Sequence, residues 1–283
     1  MKLELKPASD YPLPDLVQTL NRGFEGYLVP IHLSLIQFLD KLRKDNIDLT
    51  ASRVLLADHK PSGIALIARR GWTSRLAAMG NATEIRGSGA GSWLMEKLIE
   101  EAHQRGDREM VLEVIEQNER AVGLYRKHGF VAVRRLIGLI RREAAELDDQ
   151  PLHEFDPREM GALIATHGFP DLPWQLSAET VAQMTPPVRG YCNDHAHILV
   201  SDPEETHVVI WSLLVAPESR GHNRGAEIVK TVITQHPGRT WHVPAFYPEE
   251  MGRVFEQAGF EREELSQWQM SLRIDGPKTP QPG

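Results

Sequence analysis

A glycine-rich segment in the first half of the chain has the residue types and spacing of an anion-binding turn. It reads Glu84-Ile-Arg-Gly-Ser-Gly-Ala-Gly-Ser92, and apolar residues at helical spacing follow it as far as Ala102. Backbone N–H groups at the start of a helix lack intrahelical partners, and the helix dipole adds positive charge there. Glycines let this backbone approach a ligand closely, and Arg86 adds a fixed charge. The segment therefore predicts a site for a phosphate or pyrophosphate group.

A second segment with chemically useful residues follows about one strand later. It reads Asn118-Glu-Arg-Ala-Val-Gly-Leu-Tyr-Arg-Lys-His-Gly-Phe130. Asn118 is a preferred helix N-cap, so a helix carrying Tyr125 is expected to begin after it. The intervening strand, Met110–Ile115, holds Glu113 on the face opposite its two apolar neighbours. The chain thus offers a carboxylate and a phenol close downstream of the turn.

Together, these two segments resemble the GCN5-related N-acetyltransferase (GNAT) family. The family signature Arg/Gln-x-x-Gly-x-Gly/Ala is matched by Arg86-Gly-Ser-Gly-Ala-Gly91. The next family motif, an Asn, an Ala, a Leu-Tyr pair and a final Gly-Phe, is matched in the same order by Asn118–Phe130. The resemblance covers roughly residues 1–142. It implies transfer of an acetyl group from acetyl-CoA directly to a primary amine, with no metal and no covalent enzyme intermediate.

The resemblance also implies where the cofactor lies. In the family, the strand before the glycine turn splays from its neighbour and pairs with the pantetheine arm, while the turn holds the pyrophosphate. The cofactor-binding residues implied here are Met79, Gly80, Asn81, Arg86, Gly87, Ser88, Gly89, Ala90, Gly91, Ser92, Asn118, Ala121 and Tyr125. The alternative to cofactor binding by Met79, Gly80 and Asn81 is that they belong to an ordinary buried strand. The alternative to cofactor binding by Asn118 is that its side chain only caps the helix.

Two residues are implied to be catalytic. Tyr125 matches the family tyrosine that protonates the CoA thiolate, and a phenol with a pKa near 10 is a suitable acid for a thiolate with a pKa near 8.5. Glu113 resembles the general base of ribosomal-protein N-terminal acetyltransferases, a role that partial burial favours by raising a carboxyl pKa. The alternatives are a core aromatic at Tyr125, and an outward-facing or arginine-paired carboxylate at Glu113. Glu84 is a less favoured base.

The acceptor side is expected in the loop between the first two helices. Phe24 and Tyr27 are candidate pocket walls, and Glu25 is a candidate for attracting an amine. The alternative is a turn whose aromatic rings pack on the core. The expected acceptor is a small primary amine. A protein N-terminus or lysine, or a non-catalytic acyl-CoA sensor, remain open.

The elements that position these residues alternate between strands and helices, which indicates an α/β chain. The second half repeats the pattern: Arg220-Gly-His-Asn-Arg-Gly225 aligns with the glycine turn, and Val254–Phe260 aligns with Leu124–Phe130. Such repetition predicts two tandem GNAT-like domains, each a mixed, mostly antiparallel sheet flanked by helices. Because Asn223 replaces a glycine and Phe255 replaces the tyrosine, the second copy is expected to be degenerate.

The expected boundaries are residues 1–145 for the first domain, 150–273 for the second, and 274–283 for a disordered tail. Residues 143–151 are polar, end in Pro151 and are the expected linker.

Composition limits the other classes of function. Residues 1–147 carry a net charge of +3 and residues 148–283 a net charge of −10, so a basic nucleic-acid surface is not expected in the second half. Cys192 is the single cysteine, which excludes an internal disulfide. His195 and His197 alternate without a recognisable third ligand, so no metal site is expected. Without a signal-like start or a spanning apolar run, we expect a cytoplasmic monomer or homodimer without membrane association.

Overall fold

The computed structural model describes residues 1–142 and 151–274. The twelve strands in these residues are β1 (Leu3–Pro7), β2 (Arg53–Ala57), β3 (Lys60–Arg70), β4 (Thr73–Asn81), β5 (Glu109–Ile115), β6 (Val131–Arg141), β7 (His153–Phe155), β8 (Arg189–Cys192), β9 (Ala196–Val200), β10 (His207–Val215), β11 (Thr240–Pro248) and β12 (Glu261–Arg273). The α-helices are α1 (Leu13–Gly23), α2 (Leu35–Asp45), α3 (Ala90–Arg105), α4 (Glu119–Lys127), α5 (Glu159–His167), α6 (Ala178–Val181), α7 (Arg224–Gln235) and α8 (Arg253–Gln257).

The contacts divide the chain into two compact units. Of the described residues, unit 1 contains Met1–Val133 and residues 269–274, and unit 2 contains residues 134–142 and 151–268. Each unit has its own hydrophobic core, as expected for a tandem chain.

The sheet of unit 1 is mixed. Its strand order is β1-β2-β3-β4-β5, followed by the end of β12. The first four strands pair antiparallel, whereas β4 and β5 are parallel and are joined by α3. The parallel pairing ends at Leu76 opposite Leu112, so the last five residues of β4 diverge from β5. This divergence opens the sheet immediately before the glycine turn.

The helices of unit 1 begin and end where the sequence provides caps. Ser34 and Gln37 form a capping box at the start of α2, which ends at Asn46 in the left-handed conformation. The long helix α3 ends in the same way at Gly106. Apolar residues of α1 and Phe38 of α2 pack on β2 and β3 to form one core cluster. Burial of this apolar face is what holds the two helices on the sheet.

Unit 2 repeats this arrangement. Strands β7 to β10 are antiparallel, β10 and β11 are parallel and joined by α7, and their pairing ends at Val209 opposite His242. The order is β7-β8-β9-β10-β11-β6. Both units therefore have the expected mixed sheet flanked by helices, and the tandem organisation is confirmed.

The last strand of each copy lies where the repeat alone does not predict. Strand β6 follows α4 of the first copy but pairs antiparallel with β11, from Trp241 opposite Arg141 to Pro248 opposite Leu136. Conversely, the end of β12 belongs to unit 1, where the Ile274 N–H donates to the Arg108 carbonyl at 2.9 Å. The domain boundaries expected at residues 145 and 150 instead place all of β6 in the first domain and all of β12 in the second. The alternation of residues along a strand does not specify which edge of which sheet the strand joins.

Strand β3 begins at Lys60 because Asp58 and His59, with φ of 48° and 67°, form the turn before it. The expected linker, apart from Pro151, and the tail after Ile274 lie outside the described residues. No helix among residues 1–142 and 151–274 is long and apolar enough to cross a membrane.

Candidate active site

The glycine turn of unit 1 has the backbone conformation that leaves its amides open. Gly87 and Gly89 have φ of 82° and 92°, in the left-handed region that is strained for other residue types. Gly89 is the N-cap of α3, which begins at Ala90, and it has no side chain with which to cap the helix, while the Ser88 hydroxyl accepts from the Ala90 N–H at 3.4 Å. The open N–H groups and the positive end of a 16-residue helix form a suitable anion site.

The diverging end of β4 lies next to this turn and contains Met79, Gly80 and Asn81. The Oδ1 atom of Asn81 is buried and has no hydrogen-bond partner among the described residues. Its side chain lies between Gly63 and Gly91, where a Cβ atom would come within 2.5 Å of Oδ1 and 3.4 Å of Nδ2, respectively. A buried acceptor without a partner is costly unless a ligand satisfies it. Asn81 therefore fits a contact to an amide-bearing arm such as pantetheine.

A close approach of two backbones holds α1 against this strand end. A Cβ on Gly23 would lie 2.9 Å from the Gly80 carbonyl carbon, and one on Gly80 would lie 3.0 Å from the Gly23 carbonyl carbon. Neither backbone atom has the freedom of a flexible side chain to move aside. These two glycines therefore set the position of the acceptor loop that follows α1.

The Arg86 side chain contacts three backbone carbonyls. Its Nε donates to the Asn81 carbonyl at 2.8 Å, and its Nη2 donates to the carbonyls of Gly23 at 3.1 Å and Glu25 at 2.7 Å. The guanidinium thus ties the end of β4 to the acceptor loop. Sequence spacing placed Arg86 at the turn, but the direction of its side chain depends on carbonyls that are distant in sequence.

Positive charge beside the turn comes from Arg120 and Lys127 of helix α4, two residues that the sequence analysis did not assign to the site. Arg120 Nη2 lies 3.9 Å from the position of a Cβ on Gly87. The Ser92 hydroxyl lies 2.9 Å from His128 Nε2 and accepts from Lys127 Nζ at 3.3 Å. The signal was the basic run Arg126-Lys127-His128 within the second motif.

Tyr125 is buried at the same place. It is 8% exposed, and its ring contacts Phe130 edge-on with centroids 5.9 Å apart. Burial raises the pKa of Tyr125 well above its ordinary value of 10.0, and the nearby Tyr27 phenol adds to the increase. The phenol is therefore protonated throughout the neutral range, which is the state that a proton donor requires.

Glu113 lies in a buried ion pair. Its Oε2 accepts from Arg75 Nε at 2.8 Å and lies 2.7 Å from Arg75 Nη2, while the Glu113 side chain is only 4% exposed. Arg75 also contacts Asp45 of α2 at 3.3 Å. The Glu113 carboxylate is therefore paired with Arg75, which matches the arginine-paired alternative.

The remaining candidates in unit 1 have clear positions. Asn118 caps α4, because its Oδ1 accepts from the Ala121 N–H at 3.1 Å, as its residue type predicted. Glu84 is exposed and paired with Arg22.

The acceptor loop brings an aromatic pair to the site. Phe24 and Tyr27 contact each other edge-on at 5.2 Å, and Phe24 also packs on the core of unit 1. Tyr27 lies near enough to Tyr125 to influence its pKa. Glu25 is exposed, and the contact described for it is through its backbone carbonyl to Arg86. The Phe24 ring therefore supports the core, whereas Tyr27 lies near the candidate proton donor.

Unit 2 keeps the turn but not the tyrosine. Gly221 and Asn223 have φ of 79° and 66°, so Asn223 adopts the left-handed conformation of the glycine it replaces. Arg220 donates to the carbonyls of Val215 and His167, repeating the arrangement of Arg86. Phe255 is 1% exposed and lacks a proton to donate.

The histidines of unit 2 have local partners. His195 Nδ1 lies 3.1 Å from the Ser219 hydroxyl, and His197 stacks edge-on against Phe155. Among residues 1–142 and 151–274, no group of three or more His, Cys, Asp or Glu side chains is placed to hold a metal ion.

Comparison with known proteins gives the same assignment for the first half. The model of the acetyltransferase (GNAT) family matches residues 17–130, which contain the turn, Glu113 and Tyr125. A search of curated proteins gave no match to this sequence.

Solved structures resemble the whole chain. A GCN5-related N-acetyltransferase from Sphaerobacter thermophilus is 16% identical with a TM-score of 0.69, covering 98% of each chain. A tandem GNAT protein from the clavulanic acid biosynthesis pathway is 14% identical with a TM-score of 0.66, covering 98% of this chain and 100% of that one. A putative acetyltransferase from Pyrococcus horikoshii is 15% identical with a TM-score of 0.63, covering 98% and 91%. At these identities the likeness shows a tandem GNAT fold.

Proposed function

We propose that unit 1 is an acetyl-CoA-dependent N-acetyltransferase, because residues 17–130 match the model of the acetyltransferase (GNAT) family. The observation that carries the proposal is the combination of the diverging strands with the open turn. Strands β4 and β5 separate after Leu76 and Leu112, and the N-terminus of α3 lies directly beyond. The gap between these strands is therefore suited to the extended pantetheine arm of acetyl-CoA, and it leads to the turn that is suited to the pyrophosphate.

The residues of unit 1 hold the donor along this path. The turn from Gly87 to Ala90 supplies backbone N–H groups to the pyrophosphate, and the cations of α4 add long-range attraction. The unpaired edge of β4 after Leu76 supplies backbone partners to the pantetheine amides. The Asn81 side chain supplies the buried acceptor described above. Acetyl-CoA when bound supplies an activated thioester.

Tyr125 then acts as the general acid. An amine nitrogen would form a bond to the acetyl carbonyl carbon as the carbon–sulfur bond breaks, and Tyr125 would donate its proton to the departing sulfur. The nitrogen releases its surplus proton to solvent, and a solvent proton restores the Tyr125 phenol. Burial keeps this phenol protonated, and exclusion of water strengthens its effect on the developing charge. The amine has to be neutral when it attacks. Glu113 is not proposed as its base, because Arg75 occupies that carboxylate.

We place the acceptor beside the loop after α1. Tyr27 lies near Tyr125, and the loop is fixed by Arg86 and by the contact between Gly23 and Gly80. An aromatic wall next to the acid suits a small amine with an apolar portion. We therefore propose a small-molecule amine as the acceptor.

The test is calorimetric titration of the whole chain with acetyl-CoA. Gly89→Trp is expected to abolish binding at the turn by occupying the phosphate position. Gly106→Trp is a matched control, because Gly106 has a similar φ of 78° and no atom within 4 Å of its Cβ position. It lies at the other end of α3, about 24 Å away for 16 residues at 1.5 Å each.

Release of free thiol from acetyl-CoA in the presence of a panel of small amines then tests transfer. Binding that survives Gly89→Trp would place the cofactor elsewhere. Binding without transfer to any amine would reduce unit 1 to a CoA-binding module.

A further inference from the structure

Unit 1 contains a small cavity at the C-terminal end of α3, at the other end of this helix from the glycine turn. Its volume is about 200 Å³, the space that about six or seven water molecules occupy in the liquid. Its lining residues come from the segment that leads into β2 and from the last turns of α3, and they are Thr50, Ala51, Arg53, Glu101, Gln104 and Arg105. All of them except Ala51 have polar side chains. The cavity is therefore suited to a small polar molecule.

A largely buried ion pair holds the two sides of this cavity together. Arg53 Nε donates to Glu101 Oε1 at 2.9 Å, and the two side chains are 15% and 24% exposed. Arg53 Nη1 also donates to the carbonyls of Thr50 at 2.6 Å and Ser52 at 2.9 Å. These bonds fix the segment before β2 against α3, and they use only one of the two oxygens of the Glu101 carboxylate.

Two charged groups beside the cavity have hydrogen bonds left to make. Glu101 Oε2 and Arg105 Nε are both buried, and neither has a hydrogen-bond partner among the described residues. The Arg105 guanidinium is otherwise engaged through Nη2, which lies 2.9 Å from Asp107 Oδ2. Glu101 and Arg105 are four residues apart in α3, so their side chains are neighbours on one face of the helix. A ligand that supplied both missing partners would relieve the loss that an unpaired buried polar group causes.

The signs of these two groups indicate the chemistry of the ligand. The Glu101 oxygen needs a donor, and an ammonium group gives the stronger, charge-assisted bond. The Arg105 N–H needs an acceptor, for which a carboxylate is suited in the same way. The charges of the cluster cancel, because Arg53 and Arg105 balance Glu101 and Asp107. A zwitterion matches this arrangement better than a molecule with a net charge.

We propose that this cavity binds a free α-amino acid with a small side chain. On binding, the head groups of Glu101 and Arg105 turn towards the cavity. The Glu101 carboxylate then accepts from the ammonium group, the Arg105 Nε–H donates to the carboxylate, and the ligand side chain lies beside Ala51. Binding here does not depend on transfer by unit 1, since the cavity and the glycine turn are at opposite ends of α3.

The experiment compares L-alanine with two molecules that each keep part of it. Calorimetric titrations of the full chain use L-alanine, propionate, which lacks the ammonium group, and ethylamine, which lacks the carboxylate. L-Alanine should bind at least tenfold more tightly than either, because only the zwitterion completes both hydrogen bonds. L-Tryptophan has the same two charged groups but should not bind, because its side chain is too large for a cavity of about 200 Å³.

Two variants separate the two contacts. Glu101→Gln should lower the affinity for L-alanine to that for propionate, whereas Arg105→Gln should lower it to that for ethylamine. A variant that only disordered the site would weaken all three ligands alike. Glu100→Gln is the matched control and should change nothing, because Glu100 is a neighbouring carboxylate that is exposed and does not line the cavity.

Three results would overturn the proposal. The first is no saturable binding of L-alanine at millimolar concentrations. The second is an affinity for L-alanine no higher than that for propionate or ethylamine, and the third is an affinity unchanged by both Glu101→Gln and Arg105→Gln. The titrations are repeated in Gly89→Trp, where binding of L-alanine should persist. Its loss there would place the amino acid at the glycine turn and would also contradict the proposal, whereas loss of acetyl-CoA binding in that variant bears only on the proposed transferase.

Discussion

At the scale of single residues, the site of unit 1 separates chemistry from support. Tyr125 is buried, protonated and next to the acceptor loop, whereas Arg86 and Glu113 are engaged with protein groups. The role of a residue that matches a family motif therefore depends on the groups that its side chain contacts as well as on its residue type. The two residues most easily tested are Tyr125 and Glu113, because the structure gives them opposite expectations.

Tyr125→Phe should lower turnover about 10²- to 10⁴-fold, the usual effect of removing a general acid, with acetyl-CoA affinity nearly unchanged. Because burial raises the pKa of Tyr125, the acid stays protonated as pH rises past its ordinary 10.0, and turnover should not fall there through its ionisation. Thiol release and calorimetry measure the two quantities. Tyr191→Phe in unit 2 is the control and should leave turnover unchanged. A Tyr125→Phe enzyme with normal turnover would remove the proposed acid.

Glu113→Gln should act mainly on stability. Leaving Arg75 partly unpaired in a buried place is expected to cost about 3–5 kcal/mol in the free energy of unfolding. Turnover of the folded fraction should change less than about tenfold, since the carboxylate is not proposed as a base. Urea unfolding gives the first value and active-site-normalised kinetics the second.

Glu100→Gln is the control, because its exposed pair with Lys97 is worth at most about 1 kcal/mol. A stable Glu113→Gln protein with turnover reduced by two orders of magnitude would restore the general-base role.

At the scale of elements, the site depends on how helices meet the diverging strand. Arg86, Gly23 and Gly80 fix the end of α1 to the end of β4, and Asp45 fixes the end of α2 to Arg75. The same contacts therefore position the loop after α1, where the amine acceptor is proposed to bind, and the gap between β4 and β5, where acetyl-CoA is proposed to bind. A disturbance at the junction of α1 and β4 should affect both stability and acceptor binding.

Gly80→Ala should destabilise unit 1 by about 1–3 kcal/mol, because the new methyl would lie 3.0 Å from backbone atoms of Gly23 and force α1 away. The KM for the amine should rise with it, since the loop after α1 moves. Urea unfolding and steady-state kinetics check the two effects. Gly123→Ala is the matched control: it lies inside α4 with no atom within 4 Å of its Cβ position, and should be neutral or stabilising by up to about 1 kcal/mol.

Low pH should weaken the ion pair between Asp45, at the end of α2, and Arg75 of β4. Burial alone would raise the pKa of Asp45, but the charges of Lys41 and Arg75 outweigh it and hold the pKa below its ordinary value of 3.8. The stabilisation from a lowered carboxyl pKa is complete above that ordinary value and is lost as pH falls through the folded-state pKa. Unfolding free energies from pH 7 down to pH 2 should therefore show an extra loss in the wild type that is missing in Asp45→Asn. Parallel curves for the two proteins would contradict this.

At the scale of the whole molecule, the two units do not coincide with the two sequence repeats. Most of β6, the last strand of the first repeat, belongs to unit 2, and the end of β12, the last strand of the second repeat, belongs to unit 1. Strand β6 pairs with β11, and the end of β12 completes unit 1 beside β5. The first unit is therefore incomplete without residues near the end of the chain. Neither half is expected to fold normally when expressed alone.

Truncation after Trp268 tests this directly, because it removes the part of β12 that belongs to unit 1. Amides of β5 should then lose protection from hydrogen exchange and acetyl-CoA affinity should fall, although the deleted residues are more than 130 positions from the glycine turn. Truncation after Ile274 keeps every described residue and is the control. Unchanged protection of β5 in the shorter protein would show that unit 1 does not need this strand.

The sequence by itself determined the resemblance to an acetyltransferase family, the tandem repeat, the glycine turn, the cap at Asn118 and the place of Tyr125, because these depend on local residue types at fixed spacing. Tertiary structure alone decided the direction of Arg86, the ion pair of Glu113, the exchange of β6 and β12, and the cavity at the end of α3. Each of these depends on groups that are distant in sequence, such as the Gly23 carbonyl or Arg75. The local pattern of residue types specifies a helix or strand and which of its faces is apolar. Which other helix, strand or side chain packs on that face is decided by contacts between residues that are distant in sequence.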